Sequence, residues 1–70
     1  MEKNEVFEFI KKLYEDEMGD SVTPEQIEQF ATNFTEEVIK DDVALNMVES
    51  ASSNNATITI SDLKYAVDVE

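Results

Sequence analysis

Residues 23–53 read TPEQIEQFATNFTEEVIKDDVALNMVESASS, and how this stretch divides decides the fold. Thr23 suits a helix cap, Pro24 suits the first turn, and Gln26 stands three residues on, as in a capping box. From Glu25 to about Ser53 there is no Gly and no Pro. Ile27, Ala31, Phe34, Val38, Leu45 and Val48 recur at helical steps, with Asp41 in the skipped place. Phe30, Ala44, Met47 and Ala51 form a second stripe beside them. The spacing predicts one long helix of about seven turns. Its polar gap lies at Lys40, Asp41 and Asp42, the place where such a helix would break. Two short neighbours cannot cover a helix of that length, so part of its apolar face should be left for a partner.

The flanking segments are shorter. Val6, Phe7, Phe9, Ile10, Leu13 and Tyr14 form the apolar side of a first helix, with Asn4 as its expected cap. That helix should end near Glu17 or Met18, before Gly19 and Asp20, with Ser21 and Val22 as an extended link. Beyond the central stretch, Ser52, Ser53, Asn54 and Asn55 read as a loop, and Thr57, Ile58, Thr59 and Ile60 as a short extended segment. Ser61 is the expected cap of a last helix from Asp62 to about Val69, with Leu63, Ala66 and Val67 inward. The order of loop, β-branched link, hydroxyl cap and helix thus occurs twice.

Charge and composition narrow the functions. The chain has 70 residues, 17 Asp+Glu against 5 lysines, and a formal charge of −12. It has no Cys and no His, so no disulfide and no Cys/His metal site can staple a small core. Without those residues, catalysis would have to rest on carboxylates or hydroxyls. The acidic pairs Asp41/Asp42 and Glu36/Glu37 read as solvated surface, and no catalytic role is assigned to them. Such a chain repels phosphate backbones and anionic membranes. No signal-peptide pattern and no membrane-spanning apolar run occurs, so an intracellular protein without membrane contact is expected.

The stretch TITISDLKYAV at residues 57–67 resembles the second loop and third helix of the histone fold. Thr57, Ile58, Thr59, Asp62, Leu63, Tyr65 and Ala66 occupy places that match that family's pattern. Val22-Thr23-Pro24 is similar to its first loop and the start of its central helix. The likeness spans residues 5–69, and a form starting directly in the first helix is most similar to centromere protein X and the small TBP-associated factors. The resemblance implies an all-α histone fold of short helix, loop, long helix, loop and short helix, paired as a dimer. It implies a non-catalytic nuclear subunit in a transcription, centromere or repair assembly, without cofactor. Self-repulsion favours a heterodimer with a more basic histone-fold chain over a homodimer. The implied interface is Ile27, Phe30, Phe34, Val38, Leu45 and Val48, with Ile58, Leu63 and Tyr65 in support. One departure is plain: neither loop carries a positive charge, so the family's DNA contacts do not transfer.

Three other patterns compete. The chain also resembles a degenerate pair of calcium hands, an EF-hand-like protein-binding module. Aligned on Val22, the first loop places Glu15, Glu17, Gly19 and Ser21 at ligand positions, but Gln26 where a bidentate Glu is needed. Aligned on Ile58, the second runs from Ala51 to Asp62, at a spacing of 36 residues from the first. A paired hand would break its central helix between Glu36 and Asp42. A further alternative is an acidic DNA mimic that blocks a nucleic-acid-binding protein, using the patches Glu15–Glu17, Asp20, Glu25 and Glu28, and Glu36, Glu37, Asp41 and Asp42. Gly19-Asp20-Ser21-Val22 resembles a phosphopantetheine attachment site, but too little chain precedes it and Pro24 falls awkwardly.

Overall fold

A computed structural model describes residues 1–68. The last residue expected in the final helix, Val69, lies outside the described residues. Among the described residues there are four α-helices, α1 (Lys3–Met18), α2 (Pro24–Ile39), α3 (Asp42–Asn54) and α4 (Ile60–Asp68), with a 3₁₀ turn at Gly19–Ser21. No strand occurs among the described residues, so the molecule is all-α.

The single long helix expected over residues 25–53 is two helices. The break falls in the polar gap, and Asp41 makes it. Asp41 leaves the helical region (φ −114°, ψ 114°), and its carboxylate accepts the Ala44 N–H at 2.9 Å. Asp is a poor residue for a helix interior and a strong one for a cap, because its short side chain captures nearby backbone donors. Asp42 in the first turn of α3 adds a favourable charge at the positive end of the helix dipole. A continuous helix over this stretch would be about 43 Å long. The whole molecule measures 30 × 24 × 21 Å.

Breaking the helix folds its stripe back on itself. Ala31, Phe34 and Val38 of α2 and Ala44 and Val48 of α3 are buried in one core with Val6 and Ile10 of α1 and Ile60 and Leu63 of α4. The longest packing seam runs between α1 and α2. Leu45, Met47, Ala66 and Val67 pack half-buried on the outside of this core.

The ends of the helices follow from a few residues. The cap of α1 is Glu2 rather than Asn4, and its N–H donates to the Glu5 carboxylate at 2.9 Å. Gly19 (φ +58°) turns the chain out of α1 in a conformation that favours glycine, its N–H donating to the Glu15 carbonyl. At the start of α2 the expected box is present: the Gln26 N–H donates to Thr23 Oγ1 at 3.1 Å, and the Thr23 N–H to Gln26 Oε1 at 2.9 Å. Before α4 the same box is built by Thr59 and Asp62, at 3.1 and 3.0 Å. Ser61, expected as that cap, lies inside the helix. Asn55 (φ 54°, ψ 29°) closes α3 in the left-handed region, where Asn is tolerated.

Candidate functional site

The chain is two helix–loop–helix halves, α1–α2 and α3–α4, whose second helices start with matching Thr boxes 36 residues apart. The loops are tied by one long-range contact: the Glu17 carboxylate accepts the Ile60 N–H at 2.8 Å. That bond satisfies a donor in the partly buried first turn of α4 and brings the end of α1 beside residues 56–60.

The residues expected to form a partner interface fall mainly inside this chain's own core. Val38, Val48 and Leu63 are fully buried, and Ile27 and Phe34 are nearly so. The cause is the break at Asp41, which lets α2 and α3 cover each other's stripe. Phe30 is half-buried under intrachain contacts. Its ring stacks on Tyr14 at 4.0 Å and 15°, lies 5.2 Å from Phe34, and has Lys64 Nζ 5.6 Å from its centroid. Such aromatic and cation contacts favour the observed packing beyond area alone. Leu45 and Ile58 are half-buried against the core. Tyr65 alone of the set projects into solvent, 74% exposed.

The acidic loops do not converge on a metal. Among the described residues no group of three acidic side chains is placed to hold a metal ion. Glu17 is spent on Ile60 and Asp62 on Thr59, both at expected ligand positions, and Gln26 is spent on Thr23. Glu15 and Glu17 also still belong to α1, so the first loop is shorter than a calcium loop requires. Ser21 is exposed in the 3₁₀ turn, three residues before α2 begins.

The surface is acidic with few internal cations. Lys3 pairs with Glu36, and the Met1 ammonium lies 3.0 Å from Glu49 Oε2. The Lys3 hydrogen bond and charge hold the Glu36 carboxyl below its usual range, and Glu49 raises the Met1 amine above its usual value. Five lysines cannot neutralise 17 carboxylates, so a large negative field remains.

What the sequence pattern missed is an apolar strip across the second loop. Phe9 and Leu13 of α1, Ala56 and Ile58 of the loop, and Val43 and Met47 of α3 line two adjoining hollows. Val43 is 61% exposed. The signal was present: Val43 belongs to neither apolar stripe of its helix, so nothing in the core asks for it.

The chain has no significant match among protein-family models, curated proteins or solved structures. No helix among the described residues is long and apolar enough to cross a membrane.

Proposed function

We propose that this chain is a non-catalytic, metal-free binding module, built from two helix–loop–helix halves, that takes a basic protein partner. The observation that carries this is the coexistence of a core closed within one chain and a formal charge of −12 that its own lysines leave uncompensated. A closed core removes the need for a second chain to complete the fold. A strong field of one sign speeds and selects encounter with the opposite sign. The layout supports the likeness to a degenerate calcium-hand pair, since the central helix breaks where such a pair would break, and the last position of each loop, Gln26 and Asp62, serves in a helix cap instead.

Pairing with a more basic histone-fold chain in a nuclear assembly is the competing proposal, supported by residues 57–67 and the exposed Tyr65. It requires α2 and α3 to join into one helix on dimerisation, exposing Phe34, Val38 and Val48. Sedimentation of the purified chain at micromolar concentration separates the two. The module sediments as a folded monomer, whereas a chain that folds only as a dimer would carry the histone-type pairing instead. Calorimetric titration with Ca²⁺ should release no binding heat. Capture from extract, eluted with rising salt, should yield a basic protein. If that protein binds DNA and loses it to this chain in competition, the module acts as a DNA mimic.

A further inference from the structure

Residues 56–58 link α3 to α4 without regular secondary structure, and no backbone hydrogen bond of their peptide groups is found among the described residues. Two apolar hollows adjoin it. One, about 230 Å³, lies against α1 and is lined by Phe9, Leu13 and Ile58, with Lys12 and Asp16 also in its wall. The other, about 370 Å³, lies against α3 and is lined by Val43, Met47, Ala51 and Ile58, with Asn46 and Ser50 also in its wall. Ala56 and Ile58 belong to both.

We propose that this stretch is the docking edge for an extended, apolar segment of a partner flanked by lysine or arginine. The proposal rests on the binding-module reading above and names its site. The occupant follows from three features. Free donors and acceptors on a non-helical backbone can be matched by an extended backbone, whereas a helix has already satisfied its own. Successive side chains of an extended segment point to opposite faces, so hollows on both sides of residues 56–58 can each receive alternate residues. The charge decides between partners: a second copy would bring another −12 to the same place, while a basic segment is attracted. Lys12 and Asp16 offset each other locally, so the sign of the field is set by the rest of the surface.

The test uses the full chain labelled with ¹⁵N and ¹³C and a synthetic peptide, acetyl-Lys-Lys-Val-Thr-Val-Thr-Val-Lys-Lys-amide. The expected result is amide shifts at Ala56, Thr57 and Ile58 and methyl shifts at Leu13, Val43 and Met47. A peptide N-methylated at its central residues, and one with Glu replacing each Lys, should both bind at least about tenfold more weakly. Val43→Asp, on an exposed side chain, should leave the thermal melt intact and weaken binding about tenfold, the scale of one lost anchor. Shifts confined to the α2/α4 surface near Phe30 and Val67 would overturn this site while leaving a binding module in place. Equal binding of the N-methylated peptide overturns the strand-like mode. No binding of the lysine peptide, or equal binding of the acidic one, overturns the proposal, and capture of a basic protein then judges the module separately.

Discussion

Thr35 is the residue whose chemistry fits its place least. It is 1% exposed, and its Oγ1 has no hydrogen-bond partner among the described residues. It sits on α2 and lines one hollow with Phe7 and Asn4 of α1, along the most extensive helix seam. A buried hydroxyl without a partner forfeits its hydration and gains nothing in exchange, a penalty of about 1–3 kcal/mol. Valine has the same branched shape and nearly the same helix propensity, so it keeps the packing and removes the unsatisfied group. Thr35→Val should therefore stabilise the chain by about 1 kcal/mol. Urea unfolding of the two proteins side by side measures this, and a lower midpoint for the variant would show that the hydroxyl is satisfied in solution.

At the scale of elements, the decisive feature is the boundary between α2 and α3. Asp41→Ala removes the side-chain acceptor from the Ala44 N–H and should cost about 1–2 kcal/mol. The same change makes a continuous helix easier, so two measurements are needed. Falling stability with unchanged monomer mass marks Asp41 as a cap only. A shift to dimer would mean that the broken and continuous forms lie close in free energy. This boundary also shows what the sequence made legible and what it hid. The helical stripes, the Thr23–Gln26 box and the polar gap at Lys40–Asp42 were all readable, because periodicity and capping are local. Whether the gap was a break was not readable. The apolar spacing in the sequence is unchanged whether Lys40 and Asp41 are a helical step or a two-residue linker, so Ile27 to Val48 looks the same either way. The difference lies in whether the stripe is covered by its own chain, a long-range matter of packing. For the same reason Phe34, Val38, Val48 and Leu63 were legible as apolar-face residues but not as residues that would close on each other. The cap of α4 was missed by two positions, since Thr59 and Ser61 are both good caps and only Asp62 at the third place after Thr59 separates them.

For the whole molecule, charge sets the conditions under which the fold is most stable. Two surface ion pairs respond to pH in opposite directions. The Lys3–Glu36 pair lowers the Glu36 carboxyl from its ordinary 4.5, so its contribution is present above that value and disappears as pH falls through the lowered one. The Met1–Glu49 pair raises the amine from its ordinary 8.0, so its contribution is full below 8.0 and disappears as pH rises through the raised value. Both pairs are solvent-exposed and contribute little. Against them stands the mutual repulsion of 17 carboxylates held within a molecule 30 Å across, which unfolding relieves by spreading the charges apart. Raising the salt from about 0.01 M to about 1 M shortens the screening length from about 30 Å to about 3 Å, from the size of the molecule to the size of a contact. Screening therefore removes more repulsion than attraction here. At pH 7 the melting temperature should rise by about 5 °C or more over that range, as a gain near 1 kcal/mol produces in a small domain. Sodium chloride is the salt to use, because sulfate would add its own effect on apolar burial. A melting temperature that stays flat or falls would mean that the ion pairs outweigh the net charge. The field offered to a basic partner would then be weaker than a charge of −12 implies.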